Sequence, residues 1–247
     1  MYEVQKKILI SDFEKSIHLI KEEENLNVLI KGLDYQSRYE SAIEIRTELE
    51  KTLQNELSNF QLIEKGKFLK KELGSFKKWT LVLEIQGVLQ YISGIPIKDF
   101  DMCIPSFKND NFLYNMYVKN RKDIGEFLFT MKKYFEVIIF SELFDNSLFT
   151  LTKTLEEILH IQFDYVIGSS HSFYKNSSII VKNINCLLED RKIENIIIVD
   201  YNLNNSCFYL DQTILVPRFR GQYEKEDFLK HLTKFLLMKT GEADEFT

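Results

Sequence analysis

Four side chains in this 247-residue chain could do chemistry together, and each sits at the end of a short, apolar, β-rich run. Glu84 follows Leu81-Val82-Leu83 and precedes Ile85-Gln86-Gly87. Ser141 follows the run FEVIIF, Lys182 ends Ile180-Val181, and Asp200 ends NIIIV and leads into Tyr201-Asn202. A carboxylate nucleophile, donors to phosphate oxygens and a second carboxylate for magnesium are the parts of phosphoryl transfer. Such parts work only if the fold brings them to one crevice.

The elements around them could do that. Apolar strands at 79–85 (WTLVLEI), Phe135–Phe140 and 195–199 (NIIIV) alternate with helical patterns of about 10–14 residues. The helices are read at Ile124–Tyr134, 148–159 and 225–238, with shorter strands at 112–118, Tyr165–Ile167 and 214–217 and a helical turn at 184–188. The run at 112–118 is expected to be antiparallel or at an edge. This alternation predicts an α/β fold with a doubly wound, mostly parallel sheet, in which ligands bind beyond the carboxyl ends of the strands.

The first 74 residues have a different texture and are read as an N-terminal helical extension (1–74), ahead of an α/β domain (75–240) and an acidic tail (241–247). Ser11 and Glu14 have capping-box spacing. A longer helix starting near Ser37 or Ser41 carries Ile45, Leu49, Leu53, Leu57 and Phe60 at intervals of four, four, four and three, with Glu44, Glu48, Glu50, Lys51 and Glu56 elsewhere on its surface. That stripe either packs on its own domain or meets a partner. A mixed outcome is expected: Leu57 and Phe60 on the domain, Ile45 and Leu49 free for a partner.

Composition removes several alternatives. With 32 Lys+Arg against 37 Asp+Glu, net −5, a broad nucleic-acid surface is not expected. No apolar run reaches the ~18–20 residues of a membrane helix, and the first residues lack signal-peptide or transit-peptide character. Cys103, Cys186 and Cys207 show no CxxC spacing, and the four His form no HxxxH or HxH pair, so neither a disulfide framework nor a zinc site is expected. GxGxxG, GxxxxGK[ST] and GxSxG are missing. Ser169-Ser170-His171-Ser172 reads as a polar loop, and the Lys pairs at 70–71 and 77–78 as solvated surface.

The order and spacing of these segments resemble the haloacid-dehalogenase phosphatase superfamily. They are most similar to the FCP/NIF-type branch, which holds phosphatases of the RNA polymerase II C-terminal domain and the degenerate receptor subunit of the mitochondrial inner-membrane import translocase. LVLEIQGVLQYI from Leu81 is similar to that branch's LVLDLDETLVHS, YVKNRKDIGEFL from Tyr117 to VYVLKRPGVDEFL, and FEVIIFSEL from Phe135 to FEIVVFTAS. IVKNIN from Ile180 is similar to YVKDLS, and IIIVDYNL from Ile196 to VIIVDNSP. The separations also fit: 57 residues from Glu84 to Ser141, 41 on to Lys182 and 18 on to Asp200. The likeness covers about residues 77–238.

What the resemblance implies depends on its departures. Ser141 and Lys182 match phosphate-binding positions, and Val88 is tolerated in the superfamily. Glu84 stands at the nucleophilic Asp, Gln86 at the Asp that acts as general acid and base, and Tyr201 at a metal-binding Asn or Asp. Lys122-Asp123 replace the branch's Pro-Gly. Glu in place of Asp moves the carboxylate out by roughly 1.5 Å, and a misplacement of about 1 Å can cost ~10²-fold. Gln86 has no proton to give, removing a factor of about 10²–10⁴. Tyr201 offers a neutral phenol where magnesium wants carboxylate oxygen. The expectation is a chain with no catalytic residues, no metal and no cofactor: a pseudophosphatase serving as a protein-binding accessory subunit of a larger assembly. The resemblance to the import receptor implies a mitochondrial location, with the cytoplasm as the alternative. A phosphate or phosphopeptide reader, or a weak magnesium-dependent phosphatase, is the competing expectation.

Overall fold

The computed structural model describes residues 35–55, 77–108, 111–176, 179–188, 190–222 and 227–241. Ser11, Glu14, Leu57 and Phe60 lie outside the described residues.

Three apolar runs form the centre of the domain because they can be buried on both faces. They are β1 (Trp79–Leu83), β5 (Phe135–Phe140) and β9 (Ile196–Asp200). With β6 (Tyr165–Ile167) and β10 (Thr213–Leu215) they make a five-stranded parallel sheet in the order β10-β9-β1-β5-β6. Alternate side chains divide between two layers. Leu81, Leu83, Val137, Ile139, Ile197 and Val199 meet the three helices α2 (Ile124–Tyr134), α3 (Asp145–Leu159) and α4 (Phe228–Thr240) through Phe127, Leu128, Leu148, Leu151, Leu232 and Leu236. Val82, Ile138, Phe140, Ile196 and Ile198 face Ile184, Cys186, Leu187 and Tyr209, which come from short 3₁₀ turns and loops.

The strand expected at 112–118 is antiparallel but belongs to a separate sheet. β2 (Gln90–Ser93), β3 (Met102–Lys108) and β4 (Asn111–Asn120) pair in the order β2-β4-β3. Its base joins the core through Met102, Ile104, Met116 and Val118, while Phe112, Leu113 and Tyr114 stay exposed. β7 (Ser172–Asn176) and β8 (Ile179–Lys182) form a hairpin that delivers Lys182 to the main sheet's carboxyl end. Before α2, Asp123 adopts φ 63°. This is the left-handed region that Gly fills most readily and Asp tolerates, so the family's Gly is replaced without loss of the turn.

The N-terminal helix, α1 (Tyr35–Asn55), corrects one expectation. Ile45 and Leu49 are not free for a partner. With Tyr39 and Ala42 they are buried against Val181, Leu203, Cys207, Leu210 and Leu215. The physical reason is local: the loop after β9 and the end of β8 expose an apolar strip that only this helix face covers among the described residues. Leu53 belongs to α1 by its backbone.

A buried ion pair ties the amino ends of the central strands. Glu136, inside β5, accepts from Arg191 Nη2 at 2.6 Å and Nε at 2.8 Å and from the Thr80 hydroxyl of β1 at 2.7 Å. Both charges are 2% exposed. Removing one partner strands the other charge, so Arg191→Met is expected to cost about 3–5 kcal/mol in urea unfolding. The double variant Glu136→Leu/Arg191→Met is expected to recover most of that loss.

Candidate functional site

Each of the four residues reaches the crevice from the end of a strand. The ladder continues one residue past β1, where Glu84 N–H donates to Val199 O at 3.1 Å, and past β5, where Ser141 N–H donates to Ile167 O at 2.9 Å. The side chains therefore leave the sheet at the same level as Asp200, the last residue of β9, and Lys182, the last of β8. Lys182, Asp200 and Ser141 are 0% exposed and Glu84 is 1% exposed.

The carboxylate oxygens are all engaged by the protein. Lys182 Nζ lies 2.5 Å from Asp200 Oδ2 and 2.9 Å from Glu84 Oε2. The second contact is an ion pair without hydrogen-bond geometry. Glu84 Oε1 accepts from the Ser141 hydroxyl at 2.7 Å and from Gln86 N–H at 3.0 Å. Asp200 Oδ1 accepts from Asn202 N–H at 2.9 Å.

Burial dominates the electrostatics. It pushes the Glu84 acid up to about 7; Lys182 opposes the shift, and Asp200 and Glu142 add to it. Burial alone would lower the Lys182 ammonium's pKa, but Asp200 and Glu84 outweigh it and raise it. Glu142, at the rim, is also raised by burial, with Lys182 opposing, and its carboxylate accepts from the Asn205 amide.

Tyr201 closes the mouth. Its ring lies over Gly87, where a Cβ would stand only 2.7 Å from Tyr201 Cδ1, and the Arg218 guanidinium sits 4.7 Å from the ring centroid. Gly87 has φ +77° and occupies the place of a Glu in the family motif quoted above. The two departures therefore fit each other: the bare, left-handed backbone at 87 makes room for the ring at 201. Burial raises the phenol's pKa further, and it stays neutral. From outside, Arg38 of α1 donates to Tyr201 O at 3.2 Å.

Glu84, Ser141, Lys182, Asp200 and Tyr201 thus come together, with Gln86 half-buried beside them. Val88 does not: it is fully buried in the hydrophobic core under the turn. Sequence reasoning missed Arg121, which is 2% exposed and anchors that turn by donating to Val88 O at 3.0 Å and Pro217 O at 3.4 Å. Its guanidinium stacks 3.9 Å from the Phe228 ring centroid. The available signal was an arginine closing an apolar strand run. Among the described residues no group of three or more His, Cys, Asp or Glu is arranged to hold a metal ion, and no helix is long and apolar enough to cross a membrane.

Fold and site together define an α/β domain of the haloacid-dehalogenase type, with its crevice at the carboxyl ends of β1, β5 and β9. The chain belongs to the NLI interacting factor-like phosphatase family, whose model matches residues 79–247. It is 26% identical over 168 residues to the mitochondrial import inner membrane translocase subunit TIM50-B of Drosophila melanogaster, covering 68% of this chain and 36% of that one. It is 27% identical over 175 residues to CTD small phosphatase-like protein 2 of Dictyostelium discoideum, covering 69% and 29%. The chain thus spans about a third of the length of these relatives. Among solved structures, the fission yeast RNA polymerase II CTD phosphatase Fcp1 bound to beryllium fluoride aligns with TM-score 0.44 and 10% identity over 76% of this chain and 55% of that one. A second Fcp1 structure aligns with TM-score 0.47 and 12% identity, over 76% and 53%.

The triad carries two negative charges and one positive, which makes its members unequal. Lys182→Met leaves two buried carboxylates without a counter-charge and is expected to cost about 3–5 kcal/mol at pH 7 to 8. Glu84→Gln leaves a matched Lys182–Asp200 pair and should cost much less. Glu84's folded pKa lies above its ordinary 4.5, so its contribution is full below about 4.5 and is lost as pH rises through about 7. The stability difference between the native protein and Glu84→Gln, followed by urea unfolding from pH 4.5 to 8, should therefore move in favour of Glu84→Gln as pH rises.

Proposed function

We propose that this chain is a catalytically inactive member of its phosphatase family, used as a protein-binding accessory subunit of a larger assembly. One observation carries the reading: the crevice is closed to solvent, and each carboxylate oxygen in it lies against a donor or the ammonium of the protein itself. A nucleophile needs a free carboxylate oxygen facing the substrate. Glu84 has one oxygen under two donors and the other against an ammonium.

Magnesium is tested by the same donors. It requires near-octahedral oxygen at about 2.0–2.1 Å and carboxylates that can turn toward it. Here the Glu84 and Asp200 oxygens are held by Lys182, Ser141 and backbone N–H groups, and Tyr201 occupies the adjoining space. The residues present do not fit the ion. A phosphate reader has less support, because Lys182 and Ser141, the donors it would need, are fully buried and already engaged.

The accessory role draws on the family relation, since one relative is by name a subunit of a mitochondrial import translocase. The same relation supports a mitochondrial location, with the cytoplasm as the alternative. The three-stranded sheet β2-β4-β3, with Phe112, Leu113 and Tyr114 exposed in sequence along β4, is a described surface on which partner contacts would be looked for.

Purified protein with magnesium and p-nitrophenyl phosphate is expected to turn over no faster than Glu84→Ala. Turnover abolished by Glu84→Ala would overturn the reading. Inorganic phosphate is expected to leave the melting temperature unchanged, and stabilisation lost in Lys182→Met would instead favour the reader.

A further inference from the structure

Helix α1 touches the crevice through its neighbours. Val181, beneath the helix, immediately precedes Lys182. Leu203, also beneath it, lies in the 3₁₀ turn that follows Asp200-Tyr201-Asn202. Arg38 adds a bond to Tyr201 O. The helix thus presses on the two segments that carry the ammonium and the second carboxylate, and it holds the backbone of the residue that plugs the mouth.

The helix does not stand well by itself. In proteins most of a helix's stability comes from packing its apolar face rather than from its own propensity. Ser37, Arg38, Glu40, Glu44, Thr47, Glu48 and Lys51 face solvent, and among the side chains described from Ser37 to Lys51 the buried ones are Tyr39, Ala42, Ile45 and Leu49. Helix formation and docking are therefore one event. A unit held this way opens at a lower free energy than the central sheet.

We infer that α1 is a reversible strap: it docks on the groove formed by Val181, Leu203, Cys207, Leu210 and Leu215, and its release bares that groove and unfastens the Tyr201 plug while the central sheet stays folded. The inference goes beyond the proposed function and does not depend on whether the crevice is active.

The three cysteines report on this directly. Cys103 is exposed. Cys207 is 0% exposed within the strap's groove, where Arg46 and Glu50 of α1 act on it electrostatically. Cys186 is 2% exposed in the separate cluster against the central strands. Burial pushes both inner thiols up to about 12, so neither reacts until it is uncovered. The test is iodoacetamide labelling of the full chain under native conditions, read site by site by peptide mass spectrometry. Cys103 should label at once, Cys207 slowly and Cys186 slowest. Ile45→Ala should raise the Cys207 rate by roughly 30-fold or more, the factor that about 2 kcal/mol of lost packing corresponds to. Arg38→Gln, which keeps the apolar contacts, should raise it by a smaller factor. The Cys186 rate should stay unchanged in both. Hydrogen exchange at residues 201–206 should quicken with Cys207 and not with Cys186. An equal rise at Cys207 and Cys186, or no change at Cys207 in Ile45→Ala, would overturn the strap and make α1 an inseparable part of the core.

Discussion

A carboxylate taken out of water must find a positive partner or give up its charge, and this constraint organises the crevice. Two carboxylates, Glu84 and Asp200, are buried at the carboxyl ends of adjacent strands, with Lys182 between them. The ammonium neutralises one charge in full. The excess negative charge is met by the Ser141 hydroxyl, by the N–H groups of Gln86 and Asn202, and by Glu84's readiness to hold a proton near pH 7. Ion pairs of this kind add little net stability, but removing one member is costly.

The match from residue 79 onward fixes the family. At 84, 86 and 201 the side chains differ in length, acidity and bulk from those in the family motifs quoted above. The change at 201 is accommodated by a change at 87, because the ring needs the space that a side chain at 87 would occupy. The residues at 87 and 201 are therefore sterically coupled.

Much of this was legible in the sequence. The apolar runs at β1, β5 and β9 marked themselves as central strands, and the residues following them converge because parallel strands end on one side. Lys182 is legible in the sequence as the cation among the four strand-end residues. What was not legible depended on tertiary partners. Glu136 lies within an apolar strand, and nothing local points to Arg191, 55 residues on. Arg121 shows its role only when Val88 O, Pro217 O and the Phe228 ring are brought around it. The stripe on α1 had the right period for a buried face, but period alone cannot say whether the covering surface belongs to the same chain. The groove that receives Ile45 and Leu49 is assembled from β8, β10 and the loop after β9, distant in sequence.

The Glu136–Arg191 pair has a bearing on how the sheet finds its alignment. β1, β5 and β9 are apolar on both faces, so alternation of polar and apolar residues gives little guidance as to how far one strand may slide along another. Thr80 stands opposite Glu136 in the pairing of β1 with β5, and Arg191 closes on that carboxylate from above the sheet. Sliding β5 by one residue would turn Glu136 to the helix-covered layer, among Phe127, Leu128 and Leu151, with no donor to receive it. The penalty for that stranded charge is several kcal/mol, comparable with the whole stability of many domains. A single charged residue thus acts as an index pin for strands that would otherwise fit each other in more than one offset.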